Sequence, residues 1–283
     1  MAPPAHGGGG AAALVPSSPA MSRVASTSAP QWDPAQYNRF AAEREQPFWD
    51  LRALLEPVAA PRVADLGCGD GRLTAALHRD LGAASTMGLD ISPTMLAEAA
   101  RHAAETVTFV SGDLGAWRGS GFDIVFSNAA LQWVPDHAAA LERWRGALAG
   151  GGQLAVQIPA NADHPSHAVL RALAAERLGP TAPADPVATN VLAPEAYAVL
   201  LDGLGFTRQH VRLQVYPHRL ASAAEVVEWM KGTSLTRFRR ALEPPTYEAF
   251  VEEYRSRLLG ALPTGRPYLY AFKRILLWGR LPG

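Results

Sequence analysis

Between residues 62 and 158, short apolar runs alternate with amphipathic stretches. The runs Arg62–Leu66, Thr86–Leu89, Val107–Val110, Phe122–Ser127 and Gln153–Ile158 lack strict apolar–polar alternation. That is the pattern of strands covered on both faces. The intervening spacing predicts helices over Arg72–Leu81, Pro93–Ala103 and Ala138–Leu148, the second opened by Ser92 with proline in its first turn. Strand and helix in alternation predict a doubly wound parallel α/β sheet. Upstream, Phe40, Phe48, Leu51, Leu54 and Leu55 recur at spacings compatible with one buried helix face, so the fold is expected to begin near Trp32. Beyond Pro159 the rhythm breaks, and residues 160–190 are rich in Pro, Ala and His. Helices are predicted around Glu195–Leu204, Ala223–Trp229 and Tyr247–Leu259. The β-rich runs Phe206–Tyr216 and Tyr268–Trp278 are expected to pair antiparallel at one sheet edge, with helices inserted between them. No internal repeat is present.

Composition narrows the function classes. The chain has 283 residues, 48% hydrophobic, and its 26 basic and 26 acidic side chains cancel. This size suits one large domain or two small ones, and the balance leaves no basic face of the kind that binds nucleic acid by counterion release. No apolar window approaches the roughly 18 residues of a membrane helix. The single cysteine, Cys68, forms no internal disulfide and fits a reducing cytoplasm. Residues 1–30, dominated by Pro, Gly, Ala and Ser, are expected to be a disordered tail without a signal peptide, and Met21 is a candidate start. Only Lys231 and Lys273 are lysines, so nearly all positive charge is arginine, the residue suited to forked binding of carboxylates.

The sharpest chemical signal is Val63-Ala64-Asp65-Leu66-Gly67-Cys68-Gly69-Asp70-Gly71, a strand entering a glycine-rich turn that opens a helix. A phosphate-cradling loop needs a lysine beside its last glycine, and Arg72 and Leu73 stand there instead. In a pyrophosphate-binding fingerprint the third glycine would fall one residue later, which disfavours a dinucleotide and a nicotinamide dehydrogenase. What remains is a nucleoside without phosphate, whose ribose hydroxyls a carboxylate at the end of the second strand, Asp90, can bind. His164 and His167 have a metal-like spacing but no acidic or cysteine companion in the sequence, so no metal is expected.

The turn, followed by Gly88-Leu89-Asp90-Ile91-Ser92 with Met95-Leu96, then Gly112-Asp113, then Phe122-Asp123-Ile124-Val125-Phe126-Ser127-Asn128, resembles the class I S-adenosylmethionine-dependent methyltransferases. The resemblance implies a mostly parallel seven-stranded sheet and S-adenosyl-L-methionine as cofactor. It assigns Gly67, Gly69 and Gly71, with Asp65, to the cofactor's tail and sugar, and Asp90 to the ribose. Met95 would meet the adenine face, Asp113 and Leu114 its edge, and Asn128 and Ala129 the methionine part, with Ile91 a further cofactor contact. Three further stretches resemble bacterial trans-aconitate 2-methyltransferases: Trp32-Asp33-Pro34-Ala35-Gln36-Tyr37, Leu131-Gln132-Trp133-Val134-Pro135-Asp136-His137 and Gln157-Ile158-Pro159-Ala160-Asn161. Carrier-protein malonyl methyltransferases share part of the second stretch. On this resemblance residues 31–283 form the methyltransferase domain, and residues 160–200 and 222–262 cap its site.

Methyl transfer to a carboxylate requires no general base, because the acceptor is ionised at neutral pH. Positioning is then the main task, given to Gln132, Trp133 and Arg44. A tricarboxylate needs converging polar and cationic partners. The candidates are Arg44, Trp133, Asn161, His167, Tyr216, His218, Lys231 and Arg237. The expected partner is therefore a small carboxylate in the cytoplasm, with oligomeric state unassigned. Two alternatives stay open: a carrier-bound malonyl or hydroxyl acceptor, the latter needing a base such as His167 or His218, and a protein that binds the cofactor without turnover.

Overall fold

The computed structural model describes Met1, residues 41–263 and residues 267–283, with side chains within the first helix described from Glu45 onward. The tail expected at 1–30 and the readings of Trp32 and Phe40 lie outside the described residues. Seven strands, β1 (Arg62–Leu66), β2 (Ser85–Asp90), β3 (Val107–Ser111), β4 (Phe122–Asn128), β5 (Leu148–Pro159), β6 (Arg208–Leu220) and β7 (Tyr268–Arg280), form one sheet in the order β3-β2-β1-β4-β5-β7-β6. β1 to β5 are parallel, and β7 runs antiparallel to both β5 and β6. Strand order reverses between β1 and β4, the switch point at which open α/β sheets bind ligands beyond their carboxyl ends.

Helix α1 (Ala41–Arg52) covers one face of the sheet with Phe48 and Leu51, both essentially fully buried against Ile124, Phe126 and Leu276. Each such side chain contributes about 2 kcal/mol of burial free energy. Helices α2 (Arg72–Leu81) and α3 (Pro93–Ala99) follow β1 and β2; Ser92 caps α3 through the backbone N–H of Met95. α3 stops four residues before the sequence pattern suggests, passing into a 3₁₀ turn over Ala100–His102. α4 (His137–Gly146) buries Trp144 on the opposite face, and the indole N–H donates to the Leu114 carbonyl at 2.9 Å, fixing the loop after β3.

The helical reading through Leu148 is corrected: α4 ends at Gly146 and Leu148 already belongs to β5, which accommodates Gly150–Gly152 with Gly151 at φ 72°. In the 160–200 stretch, expected to be helical but given no helix bounds before Glu195, α5 (Pro165–Leu178) has proline in its first turn and His164 as its cap. α6 (Pro186–Asn190) and α7 (Pro194–Gly203) lead to β6. Between β6 and β7 lie α8 (Ala224–Lys231), α9 (Thr236–Ala241) and α10 (Pro244–Ala261). With α5 they build a second apolar core around Leu170, Trp229, Phe238, Phe250 and Tyr254. Among the described residues no helix is long and apolar enough to cross a membrane.

Candidate active site

The turn after β1 is held open by its backbone. Gly67, Gly69 and Gly71 all have positive φ, at 85°, 57° and 73°. The N–H groups of Gly67 and Cys68 donate to the Leu89 carbonyl at 2.7 and 3.0 Å, and the Ser127 hydroxyl donates to the Leu66 carbonyl at 2.7 Å. Asp90 ties this turn to the next one: its carboxylate accepts from Gly69 N–H at 3.0 Å and from Ser92 N–H at 2.9 Å. Burial lifts Asp90 above the ordinary carboxylate range, against those backbone donors. Asp65, fully enclosed, is pushed up to about 7 by burial, while the Thr74 hydroxyl donating at 2.6 Å pulls it back. Burial, reinforced by Asp65 and Asp90, also pushes the Cys68 thiol far above its usual range, so it stays protonated and is no nucleophile.

The three glycines differ in what surrounds them. A Cβ on Gly67 would overlap the Ala130 side chain, and one on Gly71 would lie 2.6 Å from the Phe109 ring and 2.8 Å from Ala99. At Gly69 a Cβ would meet nothing within 4 Å. Gly69 therefore presents open backbone, whereas Gly67 and Gly71 are glycines because neighbouring side chains press on them. Gly71, assigned to the cofactor from sequence, is not on the cavity wall; it starts α2.

A cavity of about 1060 Å³ opens beyond this turn. That is at the upper end of small-molecule sites and large enough for two ligands side by side. On one side Asp65, Gly67, Gly69, Asp90, Ile91 and Met95 line it, followed by Asp113, Leu114, Asn128 and Ala129. Asn128 Oδ1 is buried there without a hydrogen-bond partner among the described residues. Ala129 sits at φ 55°, a left-handed conformation that alanine adopts rarely and that clusters at functional sites. Its carbonyl accepts from the Gln132 side chain at 2.6 Å, which holds Gln132 in the wall beside Trp133.

The opposite side is cationic. His167 from α5, Arg237 and Arg240 from α9 and Arg274 from β7 line it, together with Thr233 and Ser234. Arg237 faces the buried Asp185 at 3.5 Å, which also lies 3.6 Å from His167 and 3.2 Å from Arg171. Burial pushes the Asp185 carboxyl up, but His167, Arg237 and Arg171 together outweigh it and hold the group well below the carboxylate range. Burial lowers Arg237, against the pull of Asp185.

Four sequence candidates are absent from this wall. Asn161 is fully buried, donating to the Tyr270 hydroxyl at 3.4 Å and accepting from the Lys273 N–H at 3.0 Å, so it braces β5 against β7. The Tyr216 hydroxyl donates to Asp50 at 2.8 Å, locking β6 to α1. His218 is stacked between Tyr216 and Trp229, with ring centroids 6.3 and 5.3 Å away. Lys231 pairs with Glu228 at 2.7 Å, one turn back on α8. Arg44 lies outside the described side chains. His164 caps α5, accepting from Ser166 N–H at 3.1 Å, and burial draws it down to about 4. Sequence reasoning missed Arg240 and Arg274. The only available signal for Arg240 was its spacing three residues after Arg237, which puts both on one helix face. Arg274, donating to Gln157 at 3.0 Å and lying over the Phe272 ring, is almost wholly buried in a strand that reads as apolar.

Comparison with known proteins agrees with this geometry. A family model described as a methyltransferase domain matches residues 63–152, the span from β1 into β5. The trans-aconitate 2-methyltransferase of Deinococcus radiodurans is 42% identical over 260 residues, covering 89% of this chain and 98% of that protein. The enzyme of the same name from Streptomyces coelicolor is 40% identical over 272 residues, covering 90% of this chain and 88% of that protein. In fold, the chain is similar to the YcgJ protein of Bacillus subtilis, with a TM-score of 0.57 at 16% identity over 84% of this chain and 99% of that one. It is also similar to Haemonchus contortus phosphoethanolamine N-methyltransferase 2 in complex with S-adenosyl-L-methionine, with a TM-score of 0.56 at 17% identity over 88% of this chain and 56% of that one. The order of strands, the glycine turn and identity along nearly the whole length converge on one conclusion: the chain belongs to the trans-aconitate 2-methyltransferase family.

Proposed function

We propose that this chain transfers a methyl group from S-adenosylmethionine to a carboxylate of trans-aconitate or a close polycarboxylate, releasing a monomethyl ester and S-adenosylhomocysteine. The observation that carries this reading is one cavity that joins the carboxylates and open glycine backbone of the turn after β1 to Arg237, Arg240 and Arg274 from α9 and β7.

The methyl donor is S-adenosylmethionine, and the residues present fit it. Gly69 leaves room for a ligand to approach the backbone, and the buried Asn128 Oδ1 lacks a partner in the protein. When bound, the cofactor supplies an electrophilic methyl on a cationic sulfur. Asp90 would hold the ribose, since its two carboxylate oxygens offer about four lone-pair sites and the backbone N–H groups of Ser92, Gly69 and Ile91 do not fill them all. Ile91 and Met95 would cover the adenine, with Asp113 and Leu114 at its edge. Asp65, Asn128 and Ala129 would face the methionine part.

The acid enters from the cationic side. Its carboxylate is ionised at neutral pH, so no side chain need remove a proton. The chain's task is to hold that oxygen in line with the methyl and keep water away, an effect that supplies roughly 7–11 kcal/mol at best. Arg237 and His167 would bind the acid, with Gln132 and Trp133 as walls; the helical segments 160–200 and 222–262 act as the cap. Arg237 is prepared for this by Asp185, which fixes its direction before any ligand arrives. The enzyme acts on a small molecule, and we place it in the cytoplasm, where its one thiol stays reduced.

The test is incubation of purified protein with methyl-labelled cofactor and a panel of carboxylic acids. Label in an ester of trans-aconitate supports the proposal. Absence of label from every dicarboxylate and tricarboxylate rejects it, and tight cofactor binding in that same case identifies a protein that binds without turnover.

A further inference from the structure

Arg237 and Arg240 stand three residues apart on α9 and both line the cavity, yet their surroundings differ. Arg237 has Asp185 at 3.5 Å. Arg240 has no ion-pair or hydrogen-bond partner among the described residues, and its Nε is buried without an acceptor. Burial alone, with no neighbouring carboxylate to offset it, draws its pKa down. Arg274, the third arginine on this side, is engaged with Gln157 at 3.0 Å. A half-buried guanidinium on a cavity wall with no acceptor in the protein is held at a cost that an anionic ligand group removes.

We infer that Arg240 binds a carboxylate of the acid other than the one methylated, and so selects acids that carry that further carboxylate; the inference rests on the reading above. The planar fork of arginine matches a carboxylate with two parallel hydrogen bonds. An acid lacking that group leaves Arg240 unpaired again, and sites built to pair a ligand's polar group reject analogues without it far more strongly than apolar sites reject a missing methylene. Arg237 then serves a different carboxylate, because its direction is already fixed by Asp185.

The experiment compares wild type, Arg240→Gln and Arg240→Lys with trans-aconitate and with two dicarboxylates, each lacking one of its carboxylates. Thermal melting verifies that each variant is folded. Arg240→Gln is expected to raise KM for trans-aconitate by about 10- to 100-fold, the range for losing a hydrogen bond to a charged group. It leaves kcat within about threefold and the dissociation constant of S-adenosylhomocysteine unchanged, since Arg240 serves the acid alone. The variant also ceases to distinguish trans-aconitate from one of the two dicarboxylates. Arg240→Lys, which keeps the charge and loses the fork, falls between. KM values rising in equal proportion for all three acids, an unchanged KM, or weakened binding of S-adenosylhomocysteine overturns the inference. Wild-type protein that methylates no acid removes the proposed function and this inference together, whereas normal wild-type turnover with indifferent Arg240 variants removes the inference alone.

Discussion

Alanine substitution along the turn after β1 separates a ligand-facing glycine from packed ones. At Gly69 the φ of 57° is the left-handed value, and an alanine there loses about 1 kcal/mol to backbone strain alone, since no atom lies within 4 Å of its Cβ. For a chain of this length that is a fall in Tm of about 2–4 °C. The new methyl nevertheless stands on the cavity wall, so the dissociation constant for S-adenosylhomocysteine should rise at least about tenfold. At Gly71 the order reverses. Its φ of 73° brings the same strain, and a Cβ 2.6 Å from Phe109 and 2.8 Å from Ala99 adds overpacking, for about 2–4 kcal/mol in total. The fraction of Gly71→Ala that folds should bind the cofactor product close to normally. Melting curves and titration calorimetry on both variants decide it. Gly69→Ala with wild-type affinity, or Gly71→Ala with wild-type stability, refutes the reasoning.

Four further outcomes follow from the same geometry. Asp65 is lifted by burial to about 7 in the folded chain, against an unfolded carboxyl near 4, so the folded state binds more protons between those values and loses stability as pH rises through them. Asp65→Asn should therefore show a shallower fall in Tm from pH 5 to pH 8 than wild type, and equal slopes contradict this. Asp185 is depressed, so its contribution is present above the unfolded pKa and disappears as pH falls towards the folded one. At pH 7 Asp185→Asn leaves Arg171, Arg237 and His167 without their carboxylate and should lower stability by about 3 kcal/mol, read by denaturant titration; an unchanged midpoint contradicts it. His218→Ala should lose stability through its stacking with Trp229 yet keep kcat, and His167→Gln should leave kcat independent of pH between 6 and 9. An ascending limb in the wild-type profile that vanishes in either variant means a histidine base and a hydroxyl acceptor.

The five parallel strands were legible because both their faces are covered and their short apolar runs stop at small, polar or helix-breaking residues such as Gly67, Asp90, Ser111, Asn128 and Pro159. The cofactor side was legible for a related reason: Asp90, Asn128 and the turn sit at strand ends, where sequence order fixes position in space. The acid side was not. His167, Arg237, Arg240 and Arg274 come from α5, α9 and β7, brought together only when the second core forms around Trp229 and Phe238. Polar residue type could not separate Asn161, Tyr216 and His218, which brace or stack within the fold, from groups facing a ligand. The start of α5 was hidden because its opening, His164-Pro165-Ser166, reads as a loop until His164 is seen capping the Ser166 N–H.

The central claim, that one hollow seats the cofactor against the glycine turn and a polyanion against the arginines, is tested most directly by a crystal structure of the protein with S-adenosylhomocysteine and trans-aconitate. The predicted result is adenosine between Gly69 and Asp90, and an acid carboxylate facing the cofactor sulfur with Arg237 and Arg240 on its other carboxylates. An acid bound away from α9, or a cofactor that avoids the turn at Gly69, contradicts the account.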